Sequence, residues 1–400
     1  MPPSQRVRLL VKHLHGFGWQ PVILTVDHYY REELADPWML EIMGNHYEKI
    51  DVGCLDQRKT RKFGIGDLGI RMLVNLFFVL KKETKKRKPD IILYPVPPWY
   101  IMVLAPIIKS ISGIPFAIDF IDPWVHSTQK KGFKAKMSQW IARRCEGFVV
   151  KKSSAVFAVS QGILDTLVER YPSIKNIPLV AVPYGVEFSD FDAIKVKKPV
   201  SGPAIIRYIG AISEAMLPVV DTLIKALFLV QKRTPIVVEF TGTNYAGAGL
   251  VKPLLTELIS KNMATGFITE NPARVDYRQA LELGMSATMQ LLIGDTTPYY
   301  AASKMMGMAA SGQSFFAVIH KKSFPAAFLN EVHFENKFEF ETEKLAENNT
   351  IEQLANAFYN SIINRHTFKA IPTDNYQLQQ YSAYAMTKIF SDTLKKIINE

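Results

Sequence analysis

The chain has 400 residues, of which 48% are hydrophobic and 21% charged, with 48 Lys+Arg, 37 Asp+Glu and two cysteines. Its length exceeds one ordinary core and predicts two domains of about 200 residues each, while the balanced composition excludes a low-complexity or disordered chain. Cys54 and Cys145 exclude a disulfide framework and a cysteine-held metal, and suit a reducing cytoplasm.

The net charge of +11 lies in the first half: residues 1–200 carry 30 Lys+Arg against 19 Asp+Glu, and residues 201–400 carry 18 of each. All five tryptophans lie there too, so the first half is expected to meet an anionic partner or surface. The polar, proline-containing start after Met1 does not read as a signal peptide.

Ser4 can cap a helix to about His15, ended by Gly16 and Gly18. Pro21–Val26 is a strand. Gly64-Ile-Gly66-Asp-Leu-Gly69 has dinucleotide-binding spacing but follows a charged run rather than a strand, so it reads as a loop. An apolar helix from about Ile70 ends in the basic run Lys81–Lys88. The longest uncharged run, Ile91–Ile108, holds four prolines that break a membrane-spanning helix, and it reads as strand, loop and helix.

Strands follow at Asp90–Tyr94, Phe116–Phe120, Ala155–Val159 (with Ser160 as a helix cap) and Leu179–Val182. A charged, proline-bounded linker covers 189–203. A second series has strands at Ala204–Ile209, Val237–Thr241, Gly266–Ile268, Ala287–Ile293 and Ser314–Ile319, and the chain beyond Thr350 is helical. Apolar strands alternating with helix-length segments mean parallel sheets covered on both faces. A doubly wound domain normally opens on its central strand, whereas this chain opens on a helix. A strand and turn upstream of Met1 are therefore expected; the alternative is a shifted topology in which another segment fills the gap.

In Tyr299–Gly312, between two strands, Ser303 can cap a helix whose first turn holds Lys304. Unpaired N–H groups and a lysine there make an anion site suited to a diphosphate. The plain alternative is a βα loop with a solvated lysine. In D-F-I-D-P-W-V-H (119–126), Asp122 can orient an acceptor hydroxyl, His126 can bond a sugar and Trp124 can stack on one; otherwise Asp119 and Asp122 brace a loop over a core tryptophan. Trp99 and Tyr100 can line an acceptor site or simply pack. Phe133, Met137, Trp140, Ile141, Cys145 and Phe148 recur at helical spacing within the basic segment Gln129–Lys152. Together with Lys81–Lys88 it suits anionic lipid headgroups or a lipid-phosphate acceptor. The favoured view of its apolar residues is packing on the chain's own sheet. No signature supports nucleic acid.

The segments G-F-G-W-Q-P-V-I-L-T (16–25), K-P-D-I-I-L-Y (88–94), S-G-I-P-F-A-I-D-F-I-D-P-W (112–124), A-V-S-Q-G-I-L-D-T-L (158–167), V-P-Y-G-V-E (182–187), Y-I-G-A (208–211) and A-S-K-M-M (302–306) fall in one order. In that order and spacing the chain resembles family-4-like glycosyltransferases of the GT-B fold over nearly its whole length. The resemblance implies an α/β chain of two facing Rossmann-like, doubly wound domains: an acceptor-side domain over 1–188, the linker, a nucleotide-sugar domain over 204–375, and a C-terminal helix over 376–400 that can cross back. It implies transfer of a sugar from a nucleotide-diphosphate donor to a glycan or lipid-linked acceptor. Transfer would retain configuration and need no metal or other cofactor, in cell-surface polysaccharide or glycolipid synthesis at the inner face of the membrane. Gly210, Gly242, Arg274, Ser303 and Lys304 would hold the donor, and Trp99, Tyr100 and Trp124 the acceptor, with Asp122 and His126 at the reaction. The chain departs from the family at Tyr299 and Gly307, where many members carry glutamates, and in G-A-I-S-E-A-M-L-P (210–218), which lacks their arginine and lysine. A non-catalytic subunit and a nucleotide-sugar epimerase of the same fold are the competing readings.

Overall fold

Alternation along each strand decides how this chain layers. A computed structural model describes residues 2–27, 36–125, 132–196, 202–244, 252–298, 300, 304–367 and 369–399. By internal contacts the chain divides into two compact units: residues 1–31, 43–185 and 383–400 form the first, and residues 32–42 and 186–382 the second.

In the first unit, β1 (Val22–Val26) pairs in parallel with β2 (Glu48–Val52) as a two-stranded sheet. A separate parallel sheet runs in the order β3 (Ile92–Val96), β4 (Phe116–Phe120), β5 (Ala155–Ala158), β6 (Leu179–Ala181). Phe116, Ile118 and Phe120 of β4 join a core with α2 (Leu68–Arg87), α3 (Leu104–Ser112), α4 (Phe133–Val150) and α5 (Gln161–Arg170). Ala117 belongs to a different core, with Ala155 and Phe157 of β5, α1 (Pro2–Leu14) and the C-terminal helix Ala383–Asn399. The period of two thus sends alternate residues to opposite faces, as expected of a sheet covered on both sides.

The second unit has one six-stranded parallel sheet in the order β12-β11-β10-β7-β8-β9. Its strands are β7 (Ala204–Ile209), β8 (Ile236–Thr241), β9 (Ile268–Asn271), β10 (Met289–Ile293), β11 (Phe315–His320) and β12 (Lys337–Phe340). α6 (Leu217–Gln231) and α9 (Asn348–Ile363) cover one face; α7 (Tyr277–Met285) and α8 (Met305–Ala310) follow β9 and β10. The order reverses between β7 and β10, so the carboxyl ends of those neighbours border the crevice where open α/β sheets bind ligands.

Several elements differ from the sequence reading. β9 begins two residues later than Gly266, and β12 was not expected; its lysine and glutamate obscure a strand that is only half-buried. The linker holds a short helix, Ser189–Asp192, whose Asp190 is buried against the Tyr277 hydroxyl at 3.0 Å. Residues 36–42 pack with the second unit: Asp36 accepts from the Tyr277 amide at 2.7 Å, and Trp38 stacks on the Tyr277 ring at 5.5 Å.

Candidate donor site

Four loops meet at the carboxyl ends of β7, β8, β9 and β10. β7 ends into Gly210, whose amide donates to the Thr241 carbonyl at 2.7 Å. Its φ of 141° is one that glycine adopts readily. A Cβ there would lie 1.4 Å from Lys304 Nζ and 2.4 Å from Lys304 Cε. A side chain there would strain the backbone and push the end of the lysine aside. β8 ends into Gly242, at φ 72°, whose amide donates to the Asn271 carbonyl at 2.8 Å. The Cα atoms of Arg274 and Gly210 lie 3.8 and 3.9 Å from where its Cβ would stand. Gly210, Gly242, Arg274 and Lys304, far apart in sequence, therefore form one cluster.

Lys304 is the N-cap of α8 rather than a residue of its first turn. That helix has six residues, so its dipole is short and side-chain charge dominates the site. The ammonium of Lys304 lies 4.7 Å from the centre of the buried Tyr208 ring, a cation–π contact. The Tyr208 hydroxyl donates away from it, to the Ala211 carbonyl at 2.9 Å. Burial pushes the lysine pKa down from 10.5 to about 7, and the neighbouring Arg274 charge adds to the fall. No carboxylate among the described residues pairs with Lys304 or with the exposed Arg274. Two adjacent cations without a counter-ion, one of them desolvated, are costly unless an anion arrives.

Glu270, at the carboxyl end of β9, is engaged elsewhere: it accepts from the Leu254 and Leu255 amides at 2.9 and 2.8 Å and from the Thr243 hydroxyl. It thereby orders the chain beside Asn244 and leaves the cation pair uncompensated. Ser303 and Tyr299 lie outside the described residues.

The acceptor-side residues lie in the first unit. Trp99 opens a 3₁₀ turn after β3, and its indole N–H donates to the Asp122 carbonyl at 3.2 Å, tying the loops after β3 and β4 together. The Asp122 side chain is exposed. Trp124 is buried and meets the half-buried Tyr100 edge-on at 5.1 Å, so its ring packs within the unit rather than offering a free face. His126 lies outside the described residues.

Asp119, expected to brace the loop through backbone amides, instead makes a fully buried, two-bonded pair with Arg6 at 3.0 and 3.1 Å. Arg6 also donates to the Pro183 carbonyl at 2.9 Å and lies over the Phe390 ring at 5.0 Å. One guanidinium thus joins α1, β4, the 183–185 segment and the C-terminal helix. Arg6 was not singled out from sequence, and the one signal for it was an arginine on the apolar side of α1 beside Leu9 and Leu10.

These cations, unpaired among the described residues, stand at the topological switch point where open α/β sheets bind ligands, and the comparisons narrow the class. Residues 3–185 match the glycosyl transferase 4-like domain model. Over 98% of the chain, the fold matches sucrose-phosphate synthase from Thermosynechococcus elongatus (14% identity, 92% of that chain, TM-score 0.66). It also matches HepE of Anabaena in complex with UDP-glucose (14% identity, 98% of this chain and 96% of that one, TM-score 0.65) and in complex with UDP and glucose (12% identity, the same coverage, TM-score 0.64). No curated protein sequence matches the chain. Residues 3–185 are thus similar to glycosyl transferase 4-like domains, and the chain as a whole has the GT-B fold.

Proposed function

We propose that the chain transfers a sugar from a nucleotide-diphosphate donor to a glycan or lipid-phosphate-linked acceptor. The observation that carries this is the pairing of Lys304 and Arg274, without a counter-ion among the described residues, over the glycine backbone at the β7/β10 switch point. A diphosphate supplies the missing negative charge, and Gly210 and Gly242 let it approach the backbone closely. The leaving diphosphate gains charge as the glycosidic bond breaks, and fixed cations there stabilise that state more than the ground state. Because these side chains carry the neutralising role, we read the reaction as metal-independent and of the hexosyl, configuration-retaining kind, with the leaving phosphate as base. Asp122, just beyond the carboxyl end of β4, would orient the acceptor hydroxyl, His126 would bond a sugar, and Trp99 and Tyr100 would border the acceptor. The HepE complexes with UDP-glucose and with UDP and glucose support a nucleotide sugar as donor. A lipid-linked acceptor would bring the chain to the inner face of a membrane, in cell-surface polysaccharide or glycolipid synthesis.

Gly307 and the uncharged segment 211–213 favour a second reading, a subunit that binds a nucleotide sugar or glycan without transfer. Calorimetric titration of nucleotide diphosphates into wild type and Lys304→Met tests the donor site. Micromolar binding of one nucleotide, lost in the variant, is expected; absence of binding by the folded chain would overturn it. Incubating the bound sugar nucleotide with acceptor extracts then separates transfer from binding alone.

A further inference from the structure

Helix α4 is apolar on two sides. Its inner side gives Ala142, Val149 and Val150 to the core of the first unit. Its outer side carries Phe133, Met137, Trp140, Arg144 and Phe148, spaced at single helical turns, with Phe133 79%, Met137 48%, Trp140 59% and Phe148 41% exposed. This corrects the expectation that the stripe packs on the chain's own sheet: only Ile141 and Cys145 turn partly inward. α3 packs beside it and α2 beside α3, and they expose Ile107 and Ile111, and Val74 and Phe78. A layer that presents this much apolar surface is built to meet a partner.

Its charge states which kind. Lys136, Arg143, Arg144, Lys151 and Lys152 are exposed on or just after α4, and Lys81, Lys82, Lys85 and Lys86 on α2. The only acid in residues 132–152, Glu146, is turned inward to Arg170 at 2.8 Å. Arg144 lies over the Trp140 ring at 5.4 Å and Lys152 over the Phe148 ring at 4.5 Å, so cations border the aromatic ridge. Between them is an open groove of about 480 Å³ lined by Trp140, Arg143, Arg144, Phe148, Lys151 and Tyr171. No single helix among the described residues is long and apolar enough to cross a membrane. A second copy would set this positive face against another, and like charges oppose that contact.

We propose that this face docks the chain on an anionic lipid bilayer, with Phe133, Met137 and Trp140 in the acyl boundary and Arg143, Arg144 and Lys151 around headgroup phosphates in the groove. Aromatic and aliphatic side chains supply burial, and cations on the same stripe supply selectivity for anionic lipid. The inference rests on the first unit alone and stands whether or not the donor reading does.

The test is co-sedimentation of the full chain with vesicles of phosphatidylcholine, alone or with one-third phosphatidylglycerol. Binding at least tenfold tighter to the anionic vesicles is expected. Arg143→Ala/Arg144→Ala should weaken it roughly 30-fold, at about fivefold per charge. Phe133→Ser/Trp140→Ser keeps every charge, and should weaken it while abolishing the part of the tryptophan quenching by brominated lipid that Trp140 contributes. Both variants alter exposed side chains, so melting temperatures should stay within about 2 °C of wild type. Equal binding to neutral vesicles, no binding by the folded chain, or indifference to Phe133→Ser/Trp140→Ser would overturn the proposal. So would tighter binding to single-stranded RNA than to anionic vesicles, or a solution dimer that Trp140→Ser dissolves.

Discussion

Replacing Lys304 with methionine should make the protein more stable and unable to hold a nucleotide. Burial and Arg274 lower the lysine pKa from 10.5 to about 7. At about 1.36 kcal/mol per pH unit, that gap disfavours the folded state by roughly 4 kcal/mol at pH 7, and relaxation with residual water halves this to about 2 kcal/mol. The sign follows from proton counting. Between pH 7 and 10.5 the unfolded chain holds a proton on this lysine that the folded chain has released, so wild-type stability rises with pH across that window. Methionine keeps most of the volume and removes the titration. The variant should therefore gain about 2 kcal/mol at pH 7, about half of that at pH 9 and almost nothing near pH 10.5. For a unit of this size the neutral-pH gain corresponds to roughly 4–8 °C in melting temperature. Differential scanning calorimetry of both proteins at pH 6, 7, 8, 9 and 10 measures it. A bound diphosphate restores the charge on Lys304, so wild-type binding above pH 7 should take up a proton, and its affinity should fall with pH. Calorimetry in buffers of different ionisation enthalpy reads that uptake. A variant that is less stable than wild type at pH 7, or whose gain does not change with pH, would show that Lys304 is not a desolvated cation awaiting an anion.

Gly210→Ala puts a methyl group where the Lys304 ammonium lies, so nucleotide affinity should fall nearly as far as in Lys304→Met; Gly242→Ala meets nothing nearer than 3.8 Å and should cost only about 1 kcal/mol of backbone strain, with binding retained. Removing either partner of the Arg6–Asp119 pair leaves a buried charge and should cost about 3–5 kcal/mol in urea unfolding, while Arg6→Met/Asp119→Leu should recover most of it. Asp36→Ala removes an acceptor from the Met39 and Tyr277 amides together; a loss of about 1–2 kcal/mol, with faster proteolysis between residues 36 and 42, is expected.

What the sequence disclosed follows from how local each cause is. β4 and β7 were placed to the residue because short β-rich apolar runs are bounded by Gly113, Pro115 and Gly202, Pro203 on one side, and by Asp122, Pro123 and Gly210 on the other. Gly210, Gly242 and Lys304 were legible because each follows a strand, and a parallel sheet carries all such positions to one edge. The Tyr208 ring under Lys304 and the Arg6–Asp119 pair were not legible. They depend on which residues from distant segments meet, and no periodicity encodes that. α4 misled for the opposite reason: a 3.6-residue apolar period shows that a helix has a face, and not whether its own sheet or another body covers it. The basic residues around Trp140, set against the single acid Glu146, were the available clue, because so one-sided a charge suits an anionic partner.

The same distinction bears on the departures at Tyr299, Gly307 and residues 211–213. Family glutamates and cations there would add neighbours to the donor, but the cluster in this chain rests on Gly210, whose bare Cα lets the Lys304 ammonium, without a counter-ion among the described residues, lie against it. An apolar residue at position 304 would remove the destabilising cation, whereas any side chain at Gly210, with its φ of 141°, would strain the backbone. Lys304 therefore keeps a destabilising cation in place. That cost is intelligible if the chain binds, as proposed, a phosphate-bearing ligand at the end of β7, and binding is where the transferase and the non-catalytic reading agree. Only turnover, with Asp122 and the acceptor side engaged, divides them.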